Sequence, residues 1–283
     1  MSRQFTVFTH GRLSQTAPAL GRLIAQARKR GVLLRFDAQE TEKHRLTPQE
    51  GVLLDAEPID EVELCFVLGG DGTILRALRR YGASDVPVFA INFGEIGFLA
   101  TIEPEHIEEG FDRAIDGEFE LLQLPAIVLD KDVVGAQRAF NDIAVHRKIG
   151  ERVAELSYSF DGQELGSVRC DGLVVATPAG STGYNLANGG PVMAWGVEGF
   201  VVSFIAPHSL TARALVMAPA DRLIIHNRSR EPLDIALDGR PVGEMPADGE
   251  ISVSFLGRAG TIAQLPGTSF YRRLREKFGR LAR

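Results

Sequence analysis

The chain has 283 residues, 45% of them hydrophobic and 24% charged, the mix of a soluble globular protein with one to three domains. Its 31 basic and 37 acidic side chains give a net charge of -6, which argues against a general nucleic-acid coat and a polybasic membrane binder. A small anionic ligand remains open, because local basic residues can hold a phosphate inside an acidic chain.

The opening segment MSRQFTVFTH lacks the long apolar stretch of a signal peptide. The longest apolar run, around residues 199–207, falls well short of the roughly 20 residues that span a bilayer, so a cytoplasmic protein is expected. QFTVFTH (4–10) reads as a strand, and residues 17–30 as a helix with Leu20, Leu23, Ile24 and Ala27 on one face, stopping at Gly31. VLLRFD follows as a short strand and ELCFVLG (63–69) as a buried one, with a helix of about eight residues starting at Thr73. VPVFAINF (86–93) is a strand, and residues 103–116 form an acidic helix ending near Gly117. Strands alternating with helices imply crossovers and a mostly parallel sheet covered on both faces.

Past residue 118 the helical patterns give way to strands: FELLQLPAIVLD, AFNDIAVHR, VAELSYSFDGQELGSVRC, GLVVATP, RLIIHN, LDIALDGRPV and ISVSFLG. Three Asp-Gly pairs, Asp161-Gly162, Asp238-Gly239 and Asp248-Gly249, signal hairpins. The basic tail SFYRRLREKFGRLAR carries Phe270, Leu274 and Phe278 on one stripe, an amphipathic helix suited to docking on the protein itself. The fold class is therefore α/β. A Rossmann-like α/β domain over 1–118 is joined by the terminal helix 267–283, and an all-β sandwich spans 119–266. Cys65 and Cys170 lie in strand-like runs, fit no disulfide framework or metal spacing, and read as core residues.

Thirty glycines are clustered rather than spread. Gly69-Gly70-Asp71-Gly72-Thr73 sits between a buried strand and a helix, where backbone N–H groups and the helix dipole attract phosphate. No Gly-Lys-Ser/Thr follows, and Leu75 replaces the third glycine of a dinucleotide fingerprint. Asp71 is the unusual member: a carboxylate in such a turn repels its ligand unless it does chemistry or holds Mg²⁺. It fits a base taking a proton from an attacking hydroxyl while the turn holds donor phosphates; a tight turn capped by aspartate is the plainer reading. Arg76, one helical turn past Thr73, is placed to add a positive charge.

GGDGT after a strand resembles the diphosphate-binding turn of the NAD kinase, diacylglycerol kinase and 6-phosphofructokinase superfamily. INFGEIGFL (91–99), FNDIAVHR (140–147), RCDGLVVATPAGSTGYNLANGGP (169–191) and APHSLTARALVM (206–217) are similar, in family order, to segments of NAD kinases. The resemblance implies transfer of the ATP γ-phosphoryl to the 2′-hydroxyl of the adenosine ribose of NAD, with Mg²⁺ or another divalent cation and no protein metal site. Asp71 would be the base. Gly69, Gly70, Gly72 and Thr73 would hold the ATP phosphates. NAD would be held by Asp71, Gly72, Arg76, Asn141, Asp142, Arg152, Arg169, Asp171, Thr182, Gly183, Tyr184, Asn185, Leu186 and Ala187. Family members form homodimers and homotetramers through the β domain.

On the residues alone several of these positions stay open. Asn141-Asp142 also fits a surface Asx-turn, with Asp142 one methylene shorter than the Glu of many relatives. The small-residue loop 176–184, with Gly180 and Gly183 for close backbone approach and Ser181, Thr182 and Tyr184 for hydroxyls, also fits a flexible loop. His208 has no nucleophile partner pattern and reads as structural; Arg152 and Arg240 fit exposed side chains as well as ligand contacts. Two other functions share parts of the pattern. A lipid or sugar kinase would keep GGDGT without residues 176–191, and an NAD(P)-binding regulatory module would keep residues 169–191 without Asp71.

Overall fold

The computed structural model describes residues 3–94, 97–100, 102–130 and 137–279. It divides into two compact units, the chain up to Gln123 with the segment from Gly260 onward, and Leu124–Ala259. The first unit thus takes in more than 1–118 and 267–283, because the last strand re-enters it before the terminal helix.

In the first unit, strands β1 (Gln4–Thr9), β2 (Leu33–Arg35), β3 (Val52–Leu53), β4 (Leu64–Gly69) and β5 (Val88–Asn92) pair in parallel, in the order β5-β4-β1-β2-β3. Phe5 lies opposite Leu64, Cys65 opposite Val88, and Ile262 of the last strand adds on beside Val88. All six residues of β4 and all five of β5 are buried, as expected of strands covered on both faces. The ring of Phe66 meets Phe5, Phe89 and Phe111 at 5.6–5.8 Å between centroids, the last two edge-on.

Helix α1 is Leu13–Lys29, starting four residues before the expected 17; Pro18 falls inside it, so the apolar stripe carries the helix past a missing N–H donor. Helix α2 (Ala38–His44) has no counterpart in the periodicity; Asp37 caps it by accepting from Glu40 N at 2.7 Å. Helix α3 spans Asp71–Tyr81, so Asp71 and Gly72 lie in its first turn rather than before it. Helix α4 (Ile107–Ile115) follows a short 3-10 turn at Pro104–His106.

In the second unit one antiparallel sheet holds β9 (Ala154–Phe160), β10 (Gln163–Cys170), β14 (Leu223–Asn227) and the first part of β17 (Glu250–Gln264), with β6 (Glu120–Leu129) and β7 (Gln137–Ala139) attached. The other runs β13 (Leu215–Met217), β12 (Phe200–Ile205), β11 (Gly172–Ala176), β8 (Asp142–Arg147), β15 (Leu233–Leu237), β16 (Arg240–Met245). One core joins their inner faces, with Val145, Val175 and Ile235 from one sheet against Leu156, Ile225 and Val253 from the other. Asp161-Gly162 and Asp238-Gly239 close hairpins with both residues at positive φ, 47° and 80° in the first, 48° and 73° in the second. Asp248-Gly249 does not: β16 pairs only with β15, and this turn passes the chain to β17 in the other sheet.

The terminal helix α6 is Phe270–Phe278 and packs within the first unit; Phe270 and Leu274 are buried, and the Phe278 ring lies 5.4 Å from that of Phe98. Residues 280–283 of the expected helix lie outside the described residues. Both cysteines are buried and free. Among the described residues no helix is long and apolar enough to cross a membrane.

Candidate functional site

The glycines of the first cluster are demanded by close approach. A Cβ on Gly69 would stand 2.6 Å from Thr73 Oγ1, and one on Gly70 3.2 Å from Gly94 Cα; neither residue has a positive φ. Gly70 caps α3, so the strand runs into the helix start with no intervening loop; Thr73 N already donates to Gly70 O at 2.9 Å. Gly72 is exposed with open space around it, whereas Thr73 is buried against Gly69.

Asp71 is held from the INFGEIGFL segment. Its Oδ2 accepts from Phe98 N at 3.1 Å and its Oδ1 from Leu99 N at 3.2 Å. Burial pushes its pKa up, and the two amides with the Arg273 charge counteract only part of that rise. The turn before it is braced by Asn92, which accepts from Gly94 N at 3.0 Å and donates to Glu103 Oε2 at 3.0 Å. Glu95 and Ile96 of that segment lie outside the described residues.

Arg76, expected to add a positive charge to the phosphates, already has partners within the protein. Its guanidinium pairs with Glu40, donates to Gln39 Oε1 at 3.1 Å and stacks 4.6 Å from the Phe8 ring centroid. Glu40 is fully buried and also accepts from Thr9 N at 3.1 Å, Thr9 Oγ1 at 2.6 Å and Lys43 Nζ at 2.8 Å. Burial drives this carboxyl up, but the bonds from Lys43 and Thr9 outweigh it and hold the pKa below the ordinary range. This buried ionic cluster escaped the reading of the sequence; the Asp37-x-x-Glu40 spacing of a helix start was its one legible trace.

In the second unit a cavity of about 450 Å³ is lined by Asp142, His146, Arg147, Asp171, Tyr184 and Gly239, among others. Three expected residues, Asp142, Asp171 and Tyr184, thus converge. Arg147 joins them unannounced, its Nε donating to Asp171 Oδ1 at 2.6 Å; that bond holds the Asp171 carboxyl below its usual range. Asp142 opens β8 and is buried; burial, with the neighbouring Asp238, pushes its pKa up to about 7. Asp238 also orients Asn141, accepting from its N at 2.7 Å.

The segment expected as a loop is folded into a 3-10 turn, Gly180–Thr182, and a short helix α5, Tyr184–Ala187. Its polar groups divide. Tyr184 is 40% exposed. Ser181 is buried and donates to Pro178 O at 2.7 Å; Thr182 donates to Ala179 O at 3.3 Å. Asn185 is fully buried, its Nδ2 donating to Ser181 O and Pro191 O at 2.9 Å each, so it braces the turn. Gly183 and Ala187 are exposed and Leu186 is half-buried.

Arg169 and Arg152 do not line this cavity. Both are exposed and line a second concavity with Arg228 and Arg230, while Asp171 is partnered by Arg147. His208 is exposed and its backbone N donates to Arg169 O at 2.7 Å; Arg240 is exposed at the start of β16. Among the described residues no group of three or more His, Cys, Asp or Glu is placed to hold a metal ion.

Known proteins match this arrangement. A family model described as the ATP-NAD kinase N-terminal domain matches residues 23–119, and one described as the ATP-NAD kinase C-terminal domain matches residues 140–259. The NAD kinase of Rhodopirellula baltica is 34% identical over 224 residues, covering 77% of this chain and 72% of that one. A crystal structure of an NAD kinase from Archaeoglobus fulgidus in complex with ATP superposes with a TM-score of 0.71 at 26% identity, covering 99% of this chain and 98% of that one. Yeast NADH kinase complexed with NADH shares the fold, with a TM-score of 0.85 at 23% identity over 100% of this chain and 90% of that one.

Proposed function

The chain belongs to the ATP-NAD kinase family, and we propose on that premise how its residues divide the work of phosphorylating NAD with ATP. The reaction joins the 2′-oxygen of the adenosine ribose to the γ-phosphorus and breaks the bond from that phosphorus to the β,γ-bridging oxygen. NADP and ADP leave, and the hydroxyl proton must be taken up.

Asp71 is the acceptor of that proton. The observation that carries this reading is a carboxylate in the first turn of α3, fixed by two backbone amides and raised in pKa by burial. An ordinary aspartate, with a pKa of about 4, is a weak base for an alcohol, and burial narrows that gap. The proton moves late, once the oxygen is already bonding to phosphorus. Gly69, Gly70 and Gly72 with the α3 amides form the phosphate-binding turn, and Thr73 contributes by packing beneath Gly69.

In the second unit, Asp142 and Asn141 present polar groups to the ribose while Tyr184 offers an aromatic face beside the Arg147–Asp171 pair. A divalent cation, Mg²⁺ by its preference for hard oxygen ligands, offsets the charge of the phosphates. When bound, it would take phosphate oxygens and water as ligands in preference to protein side chains. A cytoplasmic homodimer or homotetramer completes the reading, on the family resemblance alone; light scattering checks the oligomer.

The testing experiment mixes the protein with ATP, Mg²⁺ and NAD and follows NADP. NADP formation is expected; ATP consumption with diacylglycerol or fructose 6-phosphate, and none with NAD, would overturn the reading.

A further inference from the structure

Arg273 lies in α6, far along the chain from the GGDGT turn, and is buried to 7% exposure. An arginine in that position demands partners, since its guanidinium carries five donors and loses its hydration. It donates to the carbonyls of Phe98 and Ala100. The Phe98 carbonyl and the Leu99 N–H belong to one planar peptide unit. Leu99 N–H donates to Asp71 Oδ1 at 3.2 Å. Arg273 and Asp71 therefore hold the same peptide from its two ends, and a donor on the carbonyl both fixes the plane and strengthens the N–H on the far side.

We infer that Arg273 is a positioning residue for phosphoryl transfer: through the Phe98–Leu99 peptide it orients the Asp71 carboxylate and stabilises its ionised form. This rests on Asp71 as the base. The charges acting on Asp71 from the packed elements are Arg273 and Lys277 of α6, both favouring the carboxylate. Glu103 lies 3.5 Å from Lys277 and tempers it. No charged side chain comes from the 97–100 segment, whose contribution is the two amides. Burial lowers the pKa of Arg273 itself to about 10, so it stays charged throughout the working range. The terminal helix is thereby tied to the reacting carboxylate, although none of its residues lies in the GGDGT turn.

The test compares Arg273→Met, Arg273→Lys and Arg272→Ala in the full-length chain. Arg273→Met is expected to lower kcat roughly 10- to 100-fold with KM for ATP and NAD changed less than about threefold, the signature of lost orientation. The acid limb of its kcat profile moves to higher pH. Arg273→Lys keeps the charge but loses the two-pronged hold on the carbonyls, so its rate and its acid limb both fall between those of the parent and Arg273→Met. Arg272→Ala removes an equal charge from the exposed face and stays within about twofold of the parent.

The Asp71 carboxyl ¹³C resonance, assigned by its absence in Asp71→Asn, is titrated in parallel in the parent and Arg273→Lys. A higher Asp71 pKa in the variant supports the coupling, and an unchanged one overturns it, also if Arg273→Met does not fold. If Asp71→Asn stays active while the resonance shifts, the base assignment fails and the coupling stands.

Discussion

A Cβ placed on Gly180 would stand 2.0 Å from the carbonyl oxygen of Asn141 and 2.6 Å from its Cα. The 3-10 turn of the 176–191 segment thus sits flush on the backbone of the Asn141-Asp142 pair, and Thr177 ties the same join by donating to Phe140 O at 2.6 Å. The glycine is there to admit a neighbouring strand of the protein, a different reason from the ligand ring that its surroundings suggest. Gly180→Ala should cost about 1–3 kcal/mol in urea unfolding and raise KM for NAD more than KM for ATP.

Asp71→Asn keeps the size and both amide contacts can rearrange around it, so the fold should be retained with a Tm close to the parent. NADP formation should fall by roughly 10²- to 10⁴-fold, the range for losing a general base. A rate within a few-fold of the parent would remove Asp71 from the chemistry.

Asp142 should give the enzyme a pH dependence near neutrality. Its carboxyl titrates at about 7 in the folded chain and near 3.8 when solvated, so the folded state holds the proton more tightly. Its contribution to stability is therefore full below about pH 4 and is lost as the pH rises through 7. Asp142→Asn should gain stability relative to the parent between pH 5 and pH 8 in thermal melts run across that range. On the proposed ribose contact, hydroxyls donate to the ionised form, so NAD should bind more tightly as the pH rises, by up to about tenfold per unit below the midpoint. Calorimetric titration of NAD at several pH values, parent against Asp142→Asn, checks this; the variant should show a flat profile.

Glu40 holds Arg76, Lys43 and two groups of Thr9 around one buried carboxylate. Glu40→Ala leaves two cations without that counter-charge and should cost about 3–5 kcal/mol in urea unfolding. Because the Glu40 pKa is held below its usual range, the loss relative to the parent should be full at neutral pH and shrink as the pH falls through that depressed value. Equal unfolding midpoints for parent and variant would show that the cluster contributes nothing.

The division into alternating and strand-only halves is local information: apolar residues at spacing 3.6 or 2, and Asp-Gly pairs needing positive φ, are readable wherever they occur in a chain. Asp71 and the glycine-rich turn are legible because they stand in one contiguous motif, whereas Asp142, Asp171 and Tyr184 come from two separate segments that only the family resemblance groups. Tertiary structure decided what charges do. Arg76 and Asp171 found counter-ions at Glu40 and Arg147, distant in sequence, because a charge brought out of water takes whichever opposite charge the fold delivers. Arg169 and Asn185, read as ligand contacts from their place in a motif, face a second concavity and the inside of a turn respectively. The arginine clasping the peptide that holds Asp71 comes from the last described helix, 202 positions later by their numbers. No pattern of spacing records that contact, since only packing of α6 within the first unit brings the guanidinium to that carbonyl.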